Sequence, residues 1–213
     1  MKSLKRAIPF FALLLLASHH AHADGSITSE LRSVPEFRAI DLAGTLEVEV
    51  TIGKPARVEV RGETDLLGRV ITTVKNGVLI IDTKESKHLH NNHLHVTITA
   101  PDLSSLALSG TGGLKVTGIA NASLAISLSG TGTIKATGST GSLRAVLDGT
   151  GDIAAKDLAA RDATAEVNGT GSAQLQATQS VDARLTGTGN ISVHGHPARV
   201  KKSVTGLGNV SIR

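Results

Sequence analysis

The chain has 213 residues, 22 basic and 18 acidic side chains, 23 glycines, three phenylalanines and no Trp, Tyr or Cys. Without cysteine there are no disulfides, no thiol chemistry and no Cys-ligated metal. So few aromatic rings leave no platform on which bases or sugars could stack.

In chain order, the first segment carries Lys2, Lys5 and Arg6, then an apolar run from Ala7 to Ala17 broken only by Pro9, then Ala21-His22-Ala23. That pattern predicts a secretory signal peptide over residues 1–23, cleaved between Ala23 and Asp24. The run falls short of the roughly 20 apolar residues that a spanning helix needs. Cleavage leaves 19 basic against 18 acidic residues, so the basic balance belongs largely to the leader. It is therefore no sign of nucleic-acid binding, which shows as a basic patch on the folded domain. Phe10 and Phe11 leave with the leader, and Phe37 is then the only aromatic. Export without disulfides suits a bacterial periplasm or a secreted product. With no second long apolar run, the mature chain is expected not to span a membrane.

Residues 24–36 read as a lead-in, and residues 37–213 as one domain. Ile40-Asp-Leu-Ala-Gly-Thr-Leu-Glu-Val-Glu-Val50 alternates apolar and polar around a Gly-Thr corner. Residues 56–62 and 77–82 read as strands, and Gly53-Lys-Pro55 and Lys75-Asn-Gly77 as turns. Asp65 to Val70 is a short helical or irregular bridge. His93 to Ala100 is a further strand, and Pro101 opens a regular array. The N-terminal half thus reads as a looser version of that array.

The C-terminal half holds six copies of one pattern, typified by Ile126-Ser-Leu-Ser-Gly-Thr-Gly-Thr-Ile-Lys-Ala136. Their Gly pairs are Gly110 and Gly112, Gly130 and Gly132, Gly149 and Gly151, Gly169 and Gly171, Gly187 and Gly189, and Gly206 and Gly208. The first glycines are 20, 19, 20, 18 and 19 residues apart. Two residues before each pair stand Leu108, Leu128, Leu147, Val167, Leu185 and Val204. Apolar residues also recur at period two after the second Gly, as in Ile134 and Ala136, with polar or small residues between. This describes two short strands joined at a Gly-containing corner. One unit cannot bury its apolar side alone, so the units must stack about 4.8 Å apart. An antiparallel sandwich would place turn signals every 8–12 residues instead. The expected fold is all-β, a parallel β-helix (β-solenoid) with coils of about 19 residues. The Thr between the glycines, replaced by Leu207 in the last copy, is expected to hydrogen-bond along a ladder.

Phe37 through Asp82, then Thr97-Ile-Thr-Ala-Pro-Asp-Leu-Ser-Ser-Leu106, then the Ser-Gly-Thr-Gly repeats, resemble a bacterial family: the putative auto-transporter adhesin, head GIN domain, also called domain of unknown function 2807. The resemblance implies a right-handed parallel β-helix and an exported protein. It supplies no catalytic residues.

Two constellations could carry chemistry. In His88-Leu-His90-Asn-Asn-His93-Leu-His95 a hairpin closed at Asn91-Asn92 would gather all four imidazoles on one side, with Leu89 and Leu94 on the other. Imidazoles suit Zn, Cu or Ni, and a solvated polar loop is the plainer reading. Asp148 and Asp152, with Asp157 and Asp162 following, could hold Ca²⁺ through carboxylate oxygens, or simply cap turns. Reading the first pair as the acid and base of a glycosidase lacks aromatic walls for a sugar cleft. His194-Gly195-His196 reads as a loop between coils.

The sequence therefore points to an exported, non-enzymatic structural or adhesive module of the bacterial envelope with no cofactor. Its partner is expected to be an envelope or cell-surface component, not nucleic acid. The alternative is a periplasmic metal-binding protein using His88, His90, His93 and His95. Lys201, Lys202 and Arg213 put like charges on the last coil, so a monomer is expected.

Overall fold

The computed structural model describes residues 26–84 and 94–213. Each regular repeat forms one long, bent strand that starts just after its first glycine. These are β9 (Thr111–Leu128), β10 (Thr131–Leu147), β11 (Thr150–Val167) and β12 (Thr170–Leu185). The following coil is split into β13 (Thr188–His194) and β14 (Arg199–Val204), and β15 (Leu207–Ile212) follows. Pairing is parallel and follows the sequence columns: Thr131 lies opposite Thr111 and Thr150, and Leu147 opposite Leu128 and Val167. The fold is the parallel β-solenoid that the repeat implies.

The two glycines of each corner do different jobs. A Cβ on Gly130 would run into the backbone of Ser109 and Gly110 in the coil below, so the first position must be bare for coils to stack. Gly132 has φ +143, a conformation only glycine adopts freely, and its Cβ would also strike Gly112.

Leu108, Leu128, Leu147, Val167 and Leu185 are fully buried. Val204, at the end of the same column, is 44% exposed, because β14 pairs only with β12 among the described residues. One inward column, apolar at Ala160 and Ala177, is polar on two rungs. Thr140, 5% exposed, donates to Asn121 Oδ1 at 2.7 Å, and Asn121 donates to the Leu103 carbonyl at 2.7 Å.

The expected threonine ladder is displaced by two positions. The threonines stand exposed, and no side-chain hydrogen bond joins them among the described residues. The ladder runs instead through the residues before the first Gly. Asn168 donates to Asp148 at 2.8 Å, and Thr186 donates to Asn168 at 2.6 Å. Short hydroxyls do bridge rungs elsewhere, since Ser192 and Ser211 lie 3.1 Å apart on adjacent rungs, so the threonines differ in being turned to solvent at the corner.

The N-terminal half is not a simple continuation. It comprises β1 (Ile27–Arg32), β2 (Ala39–Leu42), β3 (Thr45–Ile52), β4 (Arg57–Glu63), β5 (Val70–Lys75), β6 (Val78–Thr83), β7 (His95–Ala100) and β8 (Ser105–Leu108). β2 is sandwiched between β6 and β8, and β3 between β7 and β9, all parallel. The first rung in sequence is therefore the second in space. Beyond β6 and β7 the pairing turns antiparallel, with β5 on β6, β4 on β7 and β1 on β4. That layer caps one end of the stack, and the lead-in segment supplies its outermost strand. The β5–β6 hairpin closes at Asn76 (φ +52) and Gly77 (φ +75), the two-residue turn with positive φ at both positions. The bridge expected at residues 65–70 contains a single 3-10 turn, Leu67–Arg69.

Candidate functional site

Where the second half of each coil begins, one corner leaves a trough. The register carries Val78 to Ala39, Ser105 and Ala125 from rung to rung. It continues through Arg144, Thr164, Asp182 and Lys201. Eight rungs are seven steps of roughly 4.8 Å, or about 34 Å along the axis. Two cavities lie on this corner, of about 950 Å³ near the capped end and about 570 Å³ over the regular coils. Ser104 lines both, so the two adjoin along this corner as a furrow that crosses the strands.

One wall over the regular coils is the column Ser123, Ser142, Asp162, Ser180 and Arg199. Its floor is Leu124, Leu143, Ala163 and Val181, all buried, which anchor the wall to the core. The strand alternation thus sends an apolar residue inward and its polar neighbour to the furrow.

The charged side chains are tied together along the stack. Ser180 donates to Asp162 Oδ1 at 2.5 Å and Arg161 to Oδ2 at 2.9 Å. The Ser180 hydrogen bond, followed by that from Arg161, holds the Asp162 carboxyl below its ordinary range. Arg184 links Asp182 at 2.6 Å to Glu166 at 3.3 Å, and Arg144 meets both Glu166 oxygens at 3.2 and 3.1 Å. Near the cap, Arg32 donates to the Leu67 carbonyl at 2.7 Å and meets Glu30 at 3.2 Å, and Arg57 meets Glu59 at 2.9 Å. Among the described residues two buried side-chain atoms lack a partner, Arg32 Nε and Asp182 Oδ1. Hydroxyls, guanidinium groups and carboxylates held in rows can hold a polar ligand.

His88, His90 and His93 lie outside the described residues. His95 is exposed on β7, opposite Glu47 and Arg61, and Leu94 before it is buried. Asp148 is bonded to Asn168, and Asp152 Oδ1 accepts from the Ser172 amide at 3.1 Å. Both carboxylates therefore serve inter-coil contacts at the corner. Among the described residues no three His, Asp or Glu side chains converge as a metal group. His196 sits at φ +52 in the loop before buried Pro197.

Sequence reasoning missed the furrow. Its signal was present, since Ser123, Ser142, Asp162, Ser180 and Arg199 are 19, 20, 18 and 19 residues apart. The repeat alignment stopped one half-coil short of that column.

The family described as "Putative auto-transporter adhesin, head GIN domain" matches residues 36–197. This chain belongs to that family. Among solved structures, the head GIN domain fold is shared with a putative adhesin from Bacteroides fragilis, at 21% identity over 90% of this chain and 99% of that one, with TM-score 0.71. A putative adhesin from Parabacteroides merdae is 18% identical over 89% and 97%, with TM-score 0.53. A putative lipid binding protein from Parabacteroides distasonis is 19% identical over 89% and 98%, with TM-score 0.50. No curated protein matches the sequence. The adhesin label of the family suggests an extracellular or envelope protein. No helix among the described residues is long and apolar enough to cross a membrane.

Proposed function

We propose that the chain is an exported, non-enzymatic binding module of the bacterial envelope, which adheres to an extended partner laid along the corner furrow. The observation that carries this reading is the row of two cavities that adjoin at Ser104 and are lined from eight successive rungs. A trough of that form suits a linear ligand better than a compact one. The adhesin character of the family and the leader-like segment 1–23 favour placement outside the cytoplasm.

The test is saturable binding of fluorescently labelled exported chain to intact bacterial cells and to purified envelope. Saturation that unlabelled chain reverses supports the module. Linear, non-competed uptake at micromolar protein would refute it. Intact mass of the exported product checks the cleavage after Ala23; a product retaining residues 1–23 would refute the soluble form.

A further inference from the structure

Resting on the furrow as the binding surface, we infer that its ligand is a linear polysaccharide bearing carboxylate groups. The charge of the lining comes first. Seven lining residues are cationic: Arg32, Arg38, Lys54 and Arg57 at one end, Arg144, Arg199 and Lys201 at the other. Four are acidic, Glu36, Asp102, Asp162 and Asp182. The chain without its leader is nearly neutral, 19 basic against 18 acidic, so the cationic excess is concentrated in the furrow. Glu30, Glu59 and Glu166 stand behind the lining and neutralise Arg32, Arg57 and Arg144. Asp162 and Asp182 engage Arg199 and Lys201 at 3.8 Å each.

Arg38 and Lys54 remain. Both are exposed at the mouth of the larger cavity, and neither is in an ion pair among the described residues. Glu36 and Asp102 share that mouth without pairing to them. The guanidinium offers a planar fork that matches a carboxylate, and the ammonium a second point charge. Between the two charged ends, Ser104, Ser123 and Ser142 form an uncharged stretch of hydroxyls. The furrow therefore offers two unpaired cations at its capped end and hydroxyls along its middle, which matches a chain of sugars carrying acid groups.

A peptide fits less well. An extended peptide advances about 3.3 Å per residue, out of step with rungs about 4.8 Å apart. The strand backbones under the furrow already pair with the rungs on either side, so no free sheet edge is available to hold a peptide main chain. A hexose unit is about as long as one rung, and all contacts to it come from side chains.

The experiment compares immobilised polygalacturonate with its fully methyl-esterified form, the same backbone without charge, and with polyglutamate. The full exported chain is expected to bind polygalacturonate at least ten-fold more tightly than the ester or polyglutamate. Raising salt from about 50 to 300 mM should weaken that binding, because exposed charge pairs are screened over about 10 Å at 0.1 M. Arg38→Ala with Lys54→Ala should lower the affinity ten-fold or more and flatten the salt dependence, while Lys135→Ala on another face changes neither. Unaltered circular dichroism separates loss of contact from loss of fold. Equal binding of the ester, equal binding of polyglutamate, or indifference to the double substitution each overturns the inference. If polygalacturonate fails to bind while the furrow-filling variant Ser142→Trp still abolishes attachment to envelope, the ligand class is wrong and the furrow reading stands. If the furrow-filling variant attaches normally, the reading itself falls.

Discussion

Truncating Leu147 tests the packing account at its centre. Leu147 is fully buried and sits opposite Leu128 and Val167 in the rungs on either side. Its carbonyl accepts from the Asn168 and Gly169 amides at 2.8 and 3.0 Å, so the backbone is pinned and cannot move in to fill a void. A buried Leu→Ala change costs about 2–5 kcal/mol, the larger values arising where the site cannot collapse. We therefore expect Leu147→Ala to cost about 3–5 kcal/mol. Lys135→Ala, on an exposed column of β10, should stay within about 0.5 kcal/mol. In a urea titration followed by circular dichroism, a slope of about 2–3 kcal/mol per molar makes the first change a midpoint shift of about 1–2.5 M. Equal midpoints for the two variants would show that the inward and outward columns are misassigned.

Other consequences are simpler to state. Gly132→Ala combines a forbidden φ with a collision against Gly112 and should destabilise more than Thr131→Ala beside it; a thermal melt giving the reverse order refutes the corner geometry. The Asp162 carboxyl titrates below its ordinary range when folded, so its stabilising contribution is present above the unfolded value and is lost as the pH falls through the folded one. The stability gap between wild type and Asp162→Asn should accordingly narrow as the pH drops below about 4; a gap that stays constant under acid contradicts the Ser180 and Arg161 contacts. Calorimetric titration with Zn²⁺ should give no saturating heat; tight one-to-one binding lost in His90→Ala would favour the metal-binding alternative.

The regular coils were legible because stacking forces identical demands on every repeat. Gly130 must be bare, Leu147 must be apolar, and the same reasons hold about 19 residues on, so chance cannot mimic the columns. The capped end was only partly legible. Alternation in residues 40–50 announces a strand, but nothing local says that β2 and β3 insert between strands that come later in the chain. That order is a property of long-range pairing. The Asn76-Gly77 hairpin could be read because its turn chemistry is local. The displaced ladder turned on which way the corner side chains face, which the repeat column does not reveal. The furrow escaped for a further reason: a cavity is made by what is small, and Ser123, Ser142 and Ser180 look like ordinary solvent-facing positions until register aligns them.

The most direct test of the binding account is to fill the furrow. Ser142 lies mid-wall on β10 with its side chain toward the trough, so Ser142→Trp should block passage along it without touching the core. Attachment of wild-type and Ser142→Trp chains to purified envelope, measured by surface plasmon resonance alongside matched circular dichroism spectra, compares the two. The account predicts an unchanged spectrum with attachment reduced at least ten-fold. Wild-type attachment by a folded Ser142→Trp chain would contradict it.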